Sequence, residues 1–377
     1  MKIRYGATEG GATKPVAKIY AKNEHSIDNA LIDKDAYNVI QRLNSHGYQS
    51  YIVGGAVRDL ILNSSPKDFD IVTEAEPREI KKLFRNGRII GRRFRLVHVH
   101  FSGKILEVST FRAGSNGDVK GNNVYGSIEE DVHRRDFSFN ALYYDPIQEE
   151  LIDFVDGLTD LLKRRMRSLI PLNTTFVEDP VRMIRAVKYS AQLDLKIPFT
   201  LRRAIRKYSS ELDRCPSSRL TEELFKIIES GYSEKIIQGM IDYRLLRWFL
   251  PALDAHVQNK RGEEKKKFFE SLERMDKRIR EKGENRRGRL IAALVENVCI
   301  FPDEWENPTF LFQDIFKEVK RLIEPLTPPN QEVEMAVVWL FREQGLQPPA
   351  NVLKKRRPHP SAQKQRRKRI PRYHGKK

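Results

Sequence analysis

Residues 51–70 read YIVGGAVRDLILNSSPKDFD, and two features of this stretch decide how the fold is read. Tyr51 to Val53 is a short β-forming run. Gly54 and Gly55 behind it let the backbone turn tightly and approach a ligand with no Cβ in the way. Arg58 and Asp59 follow where a helix should begin. Backbone N–H groups at a strand-to-helix turn lack intrahelical acceptors and favour an anion such as a triphosphate. In Asp68-Phe69-Asp70-Ile71-Val72, a side-chain period of two puts both aspartates on one strand face and Phe69 and Ile71 on the other. The stretch therefore reads as a phosphate grip followed by a metal grip. Either half alone is equally an ordinary turn or a pair of solvated strand charges; the two together carry the reading.

Outward from this stretch, Asp33 to His46 has helical apolar spacing and ends at Gly47, a C-cap signal. Pro77 to Phe84 has a proline start and an amphipathic pattern, predicting a second helix. RRFRLVHVHF and KILEVSTF are β-rich and separated by Ser102-Gly103, a hairpin turn. Residues 25–145 thus read as an α+β unit with a small mixed sheet, preceded by a mobile leader over residues 1–25. From Pro180 to about residue 350 strand signals nearly vanish and helical patterns follow one another, with the boundary between 145 and 175. The charged run 259–287 reads as a solvated helix face first and an RNA contact second.

Two carboxylates on one strand face can hold two divalent ions, one activating a hydroxyl and one clamping a triphosphate and its leaving group. A third acid usually completes such a site. Glu107 in KILEVSTF is the candidate, because alternation groups it with Ile105 and Ser109 in a strand that otherwise reads as buried. An edge-strand glutamate facing water has the same spacing. Downstream, Arg134-Arg135-Asp136-Phe137-Ser138-Phe139-Asn140 places Asp136 and Asn140 on one face if helical, where arginines beside acids can grip phosphate. A structural salt-bridge cluster fits those residues too. In EDPVRMIRA, Asp179, Arg182 and Arg185 recur every three residues after a helix-starting Pro180. A carboxylate beside a guanidinium complements a base edge with an amino donor next to a ring-nitrogen acceptor, which adenine and cytosine share. An N-cap with an intrahelical ion pair is the alternative.

The formal charge is +18, and residues 354–377 hold twelve Lys or Arg and no acid, which leaves +6 for the rest. That segment, KKRRPHPSAQKQRRKRIPRYHGKK, has little apolar material and should stay disordered until it meets a polyanion, nucleic acid above all. Cys215 and Cys299 are far apart, with no CxxC spacing, which excludes a disulfide framework or a cysteine zinc site and suits a reducing compartment. No HExxH pattern is present. The first twenty residues lack the apolar core of a signal peptide, and no run reaches membrane-spanning length, so a cytoplasmic protein without a membrane partner is expected.

In order along the chain, GGAVRD, DFD, EVSTFR, RRDFSFN and EDPVRMIRA resemble the class II nucleotidyltransferases, the family of bacterial poly(A) polymerases and tRNA CCA-adding enzymes. Ser138 and Phe139 stand where the family more often has Thr and Ile. The resemblance covers about residues 30–250. It implies a polymerase-β-like head over 26–150, a helical neck for the base and RNA over 151–240, a helical body over 241–352 and a basic tail over 353–377. By motif, Asp68 and Asp70 resemble the catalytic metal ligands, Glu107 the strand acid after them, and Asp136 a further catalytic acid. Gly54, Gly55, Arg58, Arg135 and Asn140 fall in the phosphate-binding motifs, and Asp179, Arg182 and Arg185 in the base-reading one. The mechanism implied is in-line attack of an RNA 3′ hydroxyl on the α-phosphorus of ATP, with two Mg2+ ions and release of pyrophosphate.

IIGRRFRLVHVHF is similar to the signature that separates bacterial poly(A) polymerases from CCA-adding relatives, and the detachable basic tail suits many unrelated RNA 3′ ends. The expectation is a monomeric template-independent poly(A) polymerase acting in mRNA polyadenylation and RNA decay, with RNA-decay or RNA-chaperone proteins as partners. CCA addition to tRNA is the alternative. A catalytically silent RNA-binding protein is the remote one, against which the intact acids argue.

Overall fold

Asp33 starts the first long helix by accepting the N–H groups of Asp35 and Ala36 at 2.9 and 3.1 Å, an N-cap that satisfies otherwise orphaned donors. This computed structural model describes residues 1–7, 13–91, 95–113, 125–259, 262–302, 304–305, 307–350 and 352. The strands are β1 (Lys2–Ala7), β2 (Thr13–Tyr20), β3 (Ser50–Val53), β4 (Asp70–Thr73), β5 (Gly87–Ile90), β6 (Leu96–Phe101), β7 (Lys104–Thr110), β8 (Leu142–Asp145) and β9 (Glu150–Asp153). The helices among them are α1 (Lys34–Ser45), α2 (Gly55–Ile61), α3 (Pro77–Leu83) and α4 (Ile128–His133). After the sheet come α5 (Gly157–Leu162), α6 (Leu172–Glu178), α7 (Val181–Leu193) and α8 (Phe199–Tyr208).

These elements make up the first of two compact units, Met1–Tyr208, and the second runs from Ser209 to Lys377. The division falls inside the segment expected as a neck. In the first unit one mixed sheet has the order β1-β2-β9-β8-β3-β4-β7-β6-β5. Its β4–β7 pair is parallel, and the other pairs are antiparallel. The α+β class is as expected, but the sheet is wider. The stretch expected as a mobile leader forms β1 and β2, and β2 pairs with β9. Ala17 is buried there, and Lys18 forms an ion pair with Asp156. β8 and β9 also carry the sheet past residue 145, into what was expected to be the boundary.

One face of the sheet carries Tyr51, Val53, Val72, Tyr143 and Ile152, packed with Phe111 and with Ile128 and Val132 of α4. Alternation sends Ile52, Ile71, Leu106 and Val108 to the opposite side, where they too are buried, and α1, α2 and α3 pack against these strands. β3 is covered on both sides, and its Tyr51, Ile52 and Val53 are accordingly apolar and buried.

The second unit is helical: α9 (Ser217–Ile228), α10 (Ser233–Asp242), α11 (Leu246–Phe249), α12 (Pro251–Asn259), α13 (Glu263–Lys282), α14 (Arg287–Val295), α15 (Pro308–Leu322) and α16 (Asn330–Glu343). α13 lies in the run expected as a solvated face, yet Phe268, Leu272 and Met275 are buried. Gly288 allows α14 and α16 to pack closely, since a Cβ there would lie 2.2 Å from the Met335 Cβ. No helix among the described residues is long and apolar enough to cross a membrane. Residues 92–94 of the IIGRRF segment and the basic tail lie outside the described residues.

Candidate active site

β3 ends at Val53, and Gly54 then takes φ 74° and ψ −129°, a conformation open to glycine and costly for other residues. Gly55 opens α2. Two guanidinium groups border the turn: an added Cβ would lie 4.0 Å from Arg135 Nη1 at Gly54 and 3.6 Å from Arg58 Nη2 at Gly55. The turn is thus a bare backbone surface with a cation at each residue, suited to a phosphate group.

Strand register brings the acids to the same place. Val53 pairs with Asp70 and with Tyr143. Asp70 pairs with Glu107 across the parallel β4–β7 ladder, and Glu107 pairs with His98 of β6. Register partners share a face, so the acidic pair stands in one row with the end of the strand that feeds the glycine turn. Glu107 Oε1 lies 3.3 Å from His98 Nε2. Asp68 precedes β4 rather than lying in it, so the strand expected to carry both aspartates begins only at Asp70.

Register sets Glu107 beside Asp70, but in surroundings other than those expected. β7 is flanked by β4 and β6, so Glu107 is not on an edge strand. Nor is its face buried, since Ile105 is 50% exposed. The acid is singled out by Asp70 beside it.

Asp70 keeps contact with solvent but stands in a recess where surrounding protein strips hydration from its carboxyl. Burial first, then repulsion from Glu107 and Asp68, pushes its pKa up to about 6, with Arg135 opposing. Crowded carboxylate oxygens whose repulsion Arg135 offsets only in part suit a hard divalent ion such as Mg2+. Among the described residues no group of three or more His, Cys, Asp or Glu side chains converges on one point. The pair and the nearby Asp68 are a donor set rather than a closed cage.

Asp136 has other partners. One of its oxygens accepts the Phe137 N–H at 2.8 Å and Asn140 Nδ2 at 3.2 Å, and the other lies 2.8 Å from Arg185 Nη2. Asn140 in turn accepts Arg58 Nη1 at 3.0 Å, and Arg58 donates to Asp59 through Nε at 2.9 Å and Nη2 at 2.7 Å. The expected closeness of Asp136 and Asn140 is present, made by a 3-10 turn at Ser138–Asn140 rather than an α-helix. Asp136 therefore ties the glycine-turn arginine to α7.

The EDPVRMIRA motif divides. Arg185 goes to Asp136, whereas Arg182 stays beside Asp179 and Glu178 at 3.8 Å and donates to Thr175 Oγ1 at 3.1 Å. The expected stripe of Asp179, Arg182 and Arg185 is thus an Asp179–Arg182 pair and a separate arginine.

Residues 50–167 match the family profile described as the poly A polymerase head domain. Residues 194–257 match the one described as the probable RNA and SrmB-binding site of polymerase A. Over 324 residues the chain is 36% identical to poly(A) polymerase I of Salmonella typhi, covering 82% of this chain and 65% of that protein. Over 199 residues it is 36% identical to the CCA-adding enzyme of Enterococcus faecalis, covering 52% of this chain and 49% of that one. The head segment, residues 50–167, belongs to the poly(A) polymerase family, and the chain spans 65% of the length of the poly(A) polymerase I it matches. The fold of the chain is like that of the Bacillus stearothermophilus CCA-adding enzyme in complex with CTP, with a TM-score of 0.55 at 24% identity, covering 84% of this chain and 83% of the other.

Two organising residues escaped the sequence reading. Asp131 in α4 is fully buried and accepts Arg134 Nε at 2.9 Å, Arg135 Nη2 at 2.7 Å and the Tyr143 hydroxyl at 2.7 Å. Burial alone would raise its pKa, but Arg135 and Arg134 outweigh that and hold it at about 2. Its only sequence signal is its position three and four residues before two arginines. Tyr189 on α7 meets Phe137 and Phe139 edge-on at 6.1 and 5.5 Å. Its ring also lies 5.2 Å from the Arg58 guanidinium, and its hydroxyl accepts Arg185 Nη2 at 3.2 Å. Arg58, Asn140, Asp136, Arg185 and Tyr189 thus form a closed circuit.

Proposed function

We propose that this chain is a template-independent poly(A) polymerase, transferring AMP from ATP to RNA 3′ ends with release of pyrophosphate. One observation carries the reading: the register row that sets Asp70 and Glu107 beside the strand leading into an arginine-flanked glycine turn. The identity to poly(A) polymerase I supports AMP as the transferred group.

Mg2+ held by Asp68, Asp70 and Glu107 would supply a Lewis acid for the triphosphate and lower the pKa of the attacking hydroxyl. The chain's own groups do the rest. Gly54 and Gly55 admit the phosphates to the backbone, and Arg135 Nη1 and Arg58 Nη2 offset their charge. Asp131 fixes Arg135 through its other nitrogens, and Asn140 with Asp59 fixes Arg58. Asp136 acts as a positioning residue through Asn140 and Arg185. Asp179 accepts from the adenine amino group while Arg182 donates to the adjacent ring nitrogen. Residues 26–150 then serve as the catalytic head, 151–240 as the base-reading neck and 241–352 as the RNA-holding body.

The test uses α-labelled ATP and unlabelled RNA. Wild-type protein should transfer label to RNA with one pyrophosphate released per AMP. Asp70→Asn should abolish transfer while leaving RNA affinity nearly unchanged. Transfer that survives Asp70→Asn would overturn the metal-ligand assignment.

A further inference from the structure

Trp339 on α16 has three arginines over its ring, with guanidinium carbons at 4.4 Å for Arg289, 5.2 Å for Arg286 and 5.3 Å for Arg342. Glu284 fixes two of them. Arg286 donates Nε and Nη2 to it at 2.7 and 2.6 Å, and Arg289 donates Nη1 at 2.7 Å. Arg278, Lys282, Asn285, Arg286 and Arg289, with Glu284, line a concavity of about 370 Å³ at the Gly283 turn between α13 and α14. The direct ion pairs of this region do not include Arg278 or Lys282 among the described residues, although Arg278 acts at longer range on Glu296. Four cations against one carboxylate leave the pocket positive before Arg342 is counted.

We propose that this concavity binds the phosphodiester backbone of single-stranded RNA, through residues other than those of the Asp70–Glu107 site. A solvated basic helix face would leave its arginines free to move. Here a shared carboxylate and an aromatic face hold two guanidinium planes, so little side-chain entropy remains to be lost on binding. Planar forks match phosphate oxygens bidentately. Arg278 and Lys282, outside those direct ion pairs, add two cations beside the fixed guanidinium planes, which suits successive phosphates of one strand better than a lone anion. The choice of RNA as the polyanion rests on the proposed polymerase function.

The experiment measures binding of a long labelled oligoadenylate to the full chain, without ATP or divalent ions, for wild type and for Arg278→Glu with Lys282→Glu. Circular dichroism and the thermal midpoint verify that the variant folds. Loss of two phosphate contacts should raise the dissociation constant roughly tenfold near 0.1 M salt and reduce the salt slope by about 1.4. For AMP transfer, KM for RNA should rise with kcat unchanged. An unchanged dissociation constant and slope would overturn the assignment.

A second measurement leaves the pocket intact. In a chain carrying Trp248→Phe and Trp305→Phe, Trp339 is the remaining tryptophan, and oligoadenylate should quench it. Equal quenching by orthophosphate at the same phosphate concentration would overturn the polynucleotide assignment. If wild type binds RNA, the variant does not and neither transfers AMP, the site stands and the polymerase reading falls. If wild type transfers AMP and the variant binds normally, the site alone falls.

Discussion

Asp131→Ala should destabilise the first unit more than any surface change can. The carboxylate is fully buried and receives Arg134, Arg135, the Tyr143 hydroxyl and the Arg112 N–H, the last at 3.2 Å. Truncation strands Arg135, whose side chain is only 18% exposed, and breaking such a buried pair costs about 3–5 kcal/mol. For a unit of this size each kcal/mol moves the midpoint by roughly 2–4 °C, so a fall of about 6–20 °C is expected.

The pH dependence gives an independent handle. The folded pKa of about 2 lies below the unfolded value of about 3.9. Because the folded value is depressed, the contribution is fully present above the unfolded pKa and disappears as pH falls through the folded one. It amounts to about 2.6 kcal/mol at neutral pH and about half that at pH 3. Thermal unfolding by circular dichroism at both pH values checks this. A loss below about 1 kcal/mol, or a gap between wild type and variant that ignores pH, would refute the idea that Asp131 neutralises Arg135 in the fold.

Gly157→Ala places a Cβ 2.2 Å from the Ser138 carbonyl oxygen, and overpacking of that kind costs about 1–3 kcal/mol, measurable as a lower urea midpoint. Gly54→Ala imposes a positive φ on a residue with a Cβ at a cost of about 1–2 kcal/mol; the KM for ATP should rise, and an unchanged value would argue against phosphate contact at the turn. Deleting residues 354–377, which hold twelve Lys or Arg, should weaken RNA binding and flatten its salt dependence. An unchanged slope would remove the tail from RNA binding.

Features that depend on neighbouring residues were legible in the sequence. The β-run and the glycine pair state their geometry within a few residues, as do the C-cap signal at Gly47 and the helix start at Pro77, whereas period two placed Asp68 in a strand that begins only at Asp70. Features that depend on distant partners were not. β2 is a strand because β9 lies beside it, and nothing near residue 17 announces that pairing. Glu107 was found by alternation, but its surroundings were misjudged because periodicity shows which residues share a face and not whether that face is covered. Asp131 looks like one more acid in the run EEDVHRRD; the partner it is buried with, Tyr143, lies twelve residues further on in β8. Tyr189 reads as an ordinary helical aromatic until Phe137, Phe139 and Arg58 close around it.

Product length and nucleotide requirement test the proposed activity most directly. Purified protein with Mg2+ is given a generic labelled RNA and, separately, a tRNA lacking its 3′-terminal CCA, each with ATP, CTP or both. Long ladders on the generic RNA with ATP alone are the expected result. A stop after three nucleotides, confined to the tRNA and requiring CTP, would contradict poly(A) synthesis and identify CCA addition.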